Sequence, residues 1–323
     1  MHFADAARNP VWAIVAADDR RPEWVPGSSI ESKSVPVQYC RLGESGSLFQ
    51  RTVHRAASLV SASHVLTIAL QEHRANWEPY AWFVRPPMRF VSDEEVAPHV
   101  ALAIAILSIA ERSPSNIVTI LPARSYVAHE SVLRQGLEQV VVKLPDIPEG
   151  VATLGMLDID EAIDEDYLLL CRKSGGPGLG VNGIVRRPTS WVARHLRRQG
   201  AVVASGIFIG YAGVFAAHLS KHWPGITARL LKLYRSSMAA QSECRVSKSV
   251  MHGVPIPLLK GLRWDAPVFP QRVFTVGQCG WSGLKSPHEV ARISDFLSSS
   301  AVYERSNQFD AAAAKEDSLR QGE

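Results

Sequence analysis

Ile117-Val-Thr-Ile-Leu-Pro-Ala-Arg-Ser125 is the stretch on which the fold turns. Its run of β-branched and leucine side chains reads as a buried strand, and Pro122 ends that strand. In an open α/β sheet, ligands bind just beyond the carboxyl ends of strands. Ala123 to Ser125 therefore occupies a position where chemistry is expected. A carboxylate at that place would hold a metal ion, and this chain puts Arg124 there.

Working outward, Val96 to Ala110 is apolar nearly all round, as expected for a helix pressed into a core. A second helix is expected around Ser131–Val140. Nearer the start, Val11–Ala17 and Val65–Leu70 read as strands, and Ser47–Val60 has the apolar spacing of a helix packed on a sheet. This alternation predicts an α/β fold with a Rossmann-like, doubly wound and mostly parallel sheet. Later segments continue it: a strand or strand pair at Val151–Gly155, a helix from Ser190 to Gly200, and a strand, turn and helix start across Ala201–Ala217. The glycine-rich loop Ser174–Gly180 is followed by Val181-Asn-Gly-Ile, which looks like strand. A phosphate cradle would need a helix directly after the loop, so the loop reads as a turn. One domain is expected over residues 1–300, with 301–323 as a polar, alanine-rich, disordered tail.

With 46% hydrophobic residues the chain can bury a sizeable core, and 35 basic against 31 acidic residues leave a net charge of only +4. That balance argues against nucleic acid or a membrane surface as partner. Arg194-His-Leu-Arg-Arg198 reads as one solvated helix face. Cys40, Cys171, Cys244 and Cys279 form no Cys-x-x-Cys pair, so neither zinc nor a disulfide framework is signalled, and a cytoplasmic location is expected. The beginning of the chain lacks the pattern of a secretory signal. His54, His99, His129 and His195 show no metal or triad spacing, and no Gly-x-Ser-x-Gly elbow is present, which argues against an unrelated hydrolytic site.

Several ordered segments carry a family resemblance. They are Pro36-Val-Gln-Tyr39, Gly43-Glu-Ser-Gly-Ser-Leu-Phe-Gln-Arg-Thr52, Ala97-Pro-His-Val-Ala-Leu-Ala103, Leu121-Pro-Ala123, Thr153-Leu-Gly155, Arg187-Pro188, Ser205-Gly-Ile-Phe208 and Gly280-Trp-Ser282. Together, from about Val11 to Val290, they resemble the bacterial mannose-1-phosphate guanylyltransferases, which join GTP and mannose 1-phosphate to give GDP-mannose and pyrophosphate.

The resemblance also shows where the chain departs. The family's glycine-rich triphosphate loop corresponds to Ala17-Asp18-Asp19-Arg20-Arg21-Pro22, which has no glycine and two acids that would repel phosphate. A family lysine corresponds to Val37, and an arginine of the base-and-ribose region falls within Glu94-Glu-Val96. The two aspartates that the resemblance implies for Mg²⁺ correspond to Arg124 and Gly283. The Glu-Lys-Pro motif on the sugar side has become Arg186-Arg187-Pro188, and an asparagine has become Ala204.

What this implies is a family fold with no catalytic residues and no metal site in the usual places. The expected role is a ligand sensor or regulatory member of sugar-nucleotide or polysaccharide-precursor synthesis. Arg124, Arg186, Arg187 and Ser205 are its candidate contacts to a nucleotide or sugar phosphate, since guanidinium groups chelate phosphate without metal. The alternative for these arginines is structural pairing with acids such as Asp18 and Asp19. The implied protein partners are a second copy of this chain or an active family member. The competing function is a working GDP-mannose-forming enzyme with Mg²⁺ in a relocated site built from Asp18, Asp19 or Asp265.

Overall fold

The computed structural model describes residues 9–17, 35–42, 46–82, 84–93, 96, 99–157, 165–171, 176–248, 271–285 and 289–293. Its elements in chain order are β1 (Val11–Ala17), α1 (Leu48–Leu59), β2 (Val65–Leu70), α2 (Arg74–Trp77), β3 (Arg89–Ser92), α3 (His99–Arg112), β4 (Ile117–Pro122), α4 (Glu130–Lys143) and β5 (Val151–Met156). They continue with β6 (Tyr167–Cys171), β7 (Leu179–Val185), α5 (Ser190–Arg198), β8 (Val202–Tyr211), α6 (Ala212–His222), α7 (Pro224–Ala239), β9 (Cys244–Val246) and β10 (Gln271–Val276). The expected tail, 301–323, lies outside the described residues, as do Asp18–Arg21 and Asp265.

The strands form one sheet in the order β5-β10-β7-β6-β8-β4-β1-β2-β3-β9, and β5 also pairs with β8. That extra pairing closes β5, β10, β7, β6 and β8 into a five-stranded barrel. The other half, β4-β1-β2-β3-β9, is parallel throughout. Within the barrel only β5 and β10 run parallel, and β8 joins the halves by running antiparallel to both β4 and β5. The sheet is therefore mixed, which corrects the expectation of a mostly parallel, doubly wound sheet.

The physical reason lies in β8. Phe208–Tyr211 pairs with β4 on one edge and β5 on the other. Upstream, the strand bends and Val202–Ala204 continues along β5 and β6. Gly206 sits at that bend with φ +74°, a conformation that a side chain strains and glycine adopts freely. The Ser205 hydroxyl pins the bend: it donates to the Leu154 carbonyl at 2.7 Å and accepts from the Ile207 N–H at 3.0 Å.

The main core lies around α3. Ten of its residues, Val100 to Ile109, are buried in succession, because it packs on the sheet beneath and on α6 and α7 above. The barrel has a smaller core of Leu168, Val202 and Val273. α1 starts from a reciprocal cap in which Ser47 accepts the Gln50 N–H and Gln50 accepts that of Ser47. No helix among the described residues is long and apolar enough to cross a membrane.

Candidate functional site

The site forms where β1 and β4 end side by side. Ala16 lies opposite Pro122, and the Ala123 N–H donates to the Ala16 carbonyl at 2.8 Å. The chain then turns, and Tyr126 exchanges two backbone hydrogen bonds with Ser282, at 2.9 and 3.0 Å. This lays residues 282–285 beside 124–126. Arg124 completes the clamp: its Nε donates to the Leu284 carbonyl at 2.9 Å, and its Nη2 donates to the same oxygen. Leu284 has a left-handed backbone, φ +49°, which is strained for a branched residue. Its fully buried side chain packs with Val37, Leu42, Leu48, Tyr126 and Val290, and its N–H donates to the Ser282 hydroxyl. Where the resemblance implies a lysine, Val37 is thus part of an apolar plug.

A side chain at Gly283 would have to displace the Glu165 carboxyl group. A Cβ there would lie 2.1 Å from Glu165 Oε1 and 3.0 Å from the Trp281 ring. Glu165 is completely buried, and its carboxyl group fills the space that a residue at 283 would use. Lys285 Nζ stands 2.6 Å from Glu165 Oε2. The approach lacks hydrogen-bond alignment, so neither Glu165 oxygen has an aligned donor among the described residues. Burial pushes the Glu165 carboxyl group above its ordinary range; Lys285 opposes the rise, while Glu289 and Asp166 add to it. The Lys285 N–H donates to Glu289 at 2.9 Å.

Asp166, the next residue, faces the other arginines. Arg186 Nη1 lies 3.8 Å from its Oδ2, and the Arg187 N–H donates to Oδ1 at 3.3 Å. Arg187 takes a left-handed backbone, φ +41°, and the Asp166 carbonyl accepts from the Ala204 N–H at 2.8 Å. Glu165 and Asp166 therefore link the two halves of the site. One meets Gly283 and Lys285, the other meets Arg186, Arg187 and the strand leading to Ser205. Ala17 ends β1 beside this region, and its carbonyl accepts from the Tyr39 hydroxyl.

Of the candidate residues, the structure ties Arg124 to the segment containing Gly283 and groups Arg186 with Arg187. Ser205 is buried, with its hydroxyl engaged inside the barrel. Sequence reasoning missed Glu165, Asp166, Leu284 and Lys285. The one signal was the acidic run Asp158-Ile-Asp-Glu-Ala-Ile-Asp-Glu-Asp166, which ends directly against an apolar strand.

The residues present do not fit a magnesium ion at the place the resemblance implies. Such an ion is held by one or two protein carboxylates plus substrate oxygens. The two implied positions carry a guanidinium and a hydrogen; of the described carboxyl groups at the turn, Glu165 already faces the Lys285 ammonium and Glu289 accepts from the Lys285 N–H. Among the described residues no group of three or more His, Cys, Asp or Glu side chains could hold a metal ion.

Solved structures share this architecture. The mannose-1-phosphate geranyltransferase of Thermus thermophilus superposes with a TM-score of 0.62 at 21% identity, covering 88% of this chain and 78% of that one. The mannose-6-phosphate isomerase of Helicobacter pylori superposes with a TM-score of 0.59 at 17% identity, covering 84% and 99%. The chain shares the fold of these two proteins. At these identities the likeness concerns the fold, and fold and site are separable. No family model matches the chain, and no curated protein does.

Proposed function

We propose that this chain is a mannose-1-phosphate guanylyltransferase-like protein that has lost metal-dependent nucleotidyl transfer. It acts as a ligand-binding or regulatory member of sugar-nucleotide or polysaccharide-precursor synthesis. The observation that carries this reading is the replacement of both implied metal aspartates, by Arg124 clamped on the Leu284 carbonyl and by Gly283 pressed against Glu165. Two unit charges about 4 Å apart interact by roughly 4 kcal/mol at an effective dielectric near 20. Exchanging Asp for Arg turns that attraction into repulsion of a metal. Metal and cationic clamps supply much of the rate in phosphoryl-type transfer, so their loss removes several powers of ten.

The ligand of this reading is a nucleotide or sugar phosphate. Arg124, Arg186 and Arg187 recognise its phosphate, and Ser205 fixes the bend of β8 near them. The regulated partner is a second copy of the chain or an active family member. Thermal-shift titrations with GTP, GDP-mannose and mannose 1-phosphate test it. A raised melting temperature with at least one of them is the expected result; no shift with any would overturn the ligand-binding role. Catalysis by Mg²⁺ relocated to Asp18, Asp19 or Asp265 is the competing reading, and turnover would reveal it.

A further inference from the structure

The mismatch between the site and a divalent metal has a specific physical form. Glu165 is fully buried, and its Oε1 fills the volume that a side chain at 283 would occupy. A buried carboxyl group with no aligned donor among the described residues calls for a cation. The cation beside it is Lys285, 2.6 Å from Oε2, on a side chain only 19% exposed. An ammonium has three N–H donors in a tripod, and Glu165 engages one side of it. Lys285 follows directly on Leu284, whose carbonyl Arg124 holds, so the two cations are fixed by one three-residue turn. The Arg186 guanidinium and the Arg187 backbone N–H face the adjacent Asp166. Three basic side chains, Lys285, Arg124 and Arg186, thus stand with three acidic ones, Glu165, Asp166 and Glu289.

We infer that Lys285 takes the place of a divalent cation in this site and, with Arg124, binds the phosphate of a phosphate monoester without any metal. Glu165 is the positioning residue: it holds the ammonium as a carboxylate would hold a metal, and it fills the space a side chain at 283 would use. The inference rests on the ligand-binding reading above and adds to it the residue and the metal independence. Lys285 differs from a metal in one useful respect: chelators cannot remove it.

Isothermal titration calorimetry with mannose 1-phosphate on the full chain, once in EDTA and once in excess Mg²⁺, tests it. Wild-type protein is expected to bind with the same affinity in both buffers. Lys285→Gln should weaken binding about 10-fold or more, the loss of one charge-assisted hydrogen bond. Because that change leaves Glu165 buried without its cation, the Glu165→Gln, Lys285→Gln double variant is measured beside it. It has no buried lone charge, should keep the wild-type circular dichroism spectrum, and should lose affinity to the same extent. Wild-type binding that requires Mg²⁺, or unchanged affinity in the folded double variant, would overturn the role of Lys285 while leaving ligand binding standing. Absence of wild-type binding in both buffers would overturn both.

Discussion

Arg124 is the residue at which family resemblance and local structure part. Its guanidinium serves the backbone: it holds the carbonyl of a left-handed leucine and so fixes the turn that carries Gly283 and Lys285. Restoring an aspartate there would therefore not restore a metal site. Arg124→Asp is expected to lose about 2 kcal/mol of stability, the worth of charge-assisted hydrogen bonds to one carbonyl. Denaturant titration should show the lower midpoint, and Mg²⁺ should leave that midpoint unmoved. Gly283→Asp should fare worse, because its Cβ would lie 2.1 Å from Glu165 Oε1 and its carboxylate would join a buried one. A loss of about 3 kcal/mol is expected from overpacking and like-charge burial, measured in the same way; wild-type stability would contradict the packing described at this turn. Arg124 and Gly283 could be singled out in the sequence because the residues flanking them carry the resemblance. Glu165 and Lys285 were not, since an acidic run reads as a solvated loop, and only the space missing at Gly283 reveals where one of its carboxyl groups goes.

Among the elements, α3 carries the core and also a pH dependence. His99, at its start, lies against the Trp223 ring, with centroids 5.9 Å apart. Burial lowers its pKa from 6.5 to about 4, and its Nε2 has no hydrogen-bond partner among the described residues. The unfolded chain therefore takes up a proton that the native one refuses between these values. Stability from this group is present above pH 6.5 and is lost as the pH falls toward 4, by up to about 3 kcal/mol. His99→Leu should flatten that part of the stability-against-pH curve, measured by denaturant titration across the window; an unchanged slope would contradict it. The elements best read from sequence were those with continuous apolar runs: β1, β2, β4, α1 and α3 all appear close to their expected bounds. β6, β7 and β10 were harder. Their outer faces are half exposed and β7 contains glycine. The partner of β5, at Gln271–Val276, lies more than a hundred residues along the chain. Local periodicity carries no record of a pairing that distant.

Across the whole chain, a shared α/β architecture carries a central turn held by charged and apolar side chains. A parallel half-sheet and a five-stranded barrel meet along β8. Glu165 meets the turn after β10, and Asp166 meets the end of β7 and the bend of β8. An apolar plug of Val37, Leu48, Tyr126 and Leu284 packs under this turn. In the proposed reading, this turn holds fixed cations, Arg124 and Lys285, where nucleotidyl transfer needs a divalent one. Pyrophosphate release from GTP and mannose 1-phosphate in the presence of Mg²⁺ tests that claim most directly. The account predicts no release above the protein-free background; turnover at ordinary enzymatic rates, on the order of 1 per second or faster, would contradict it.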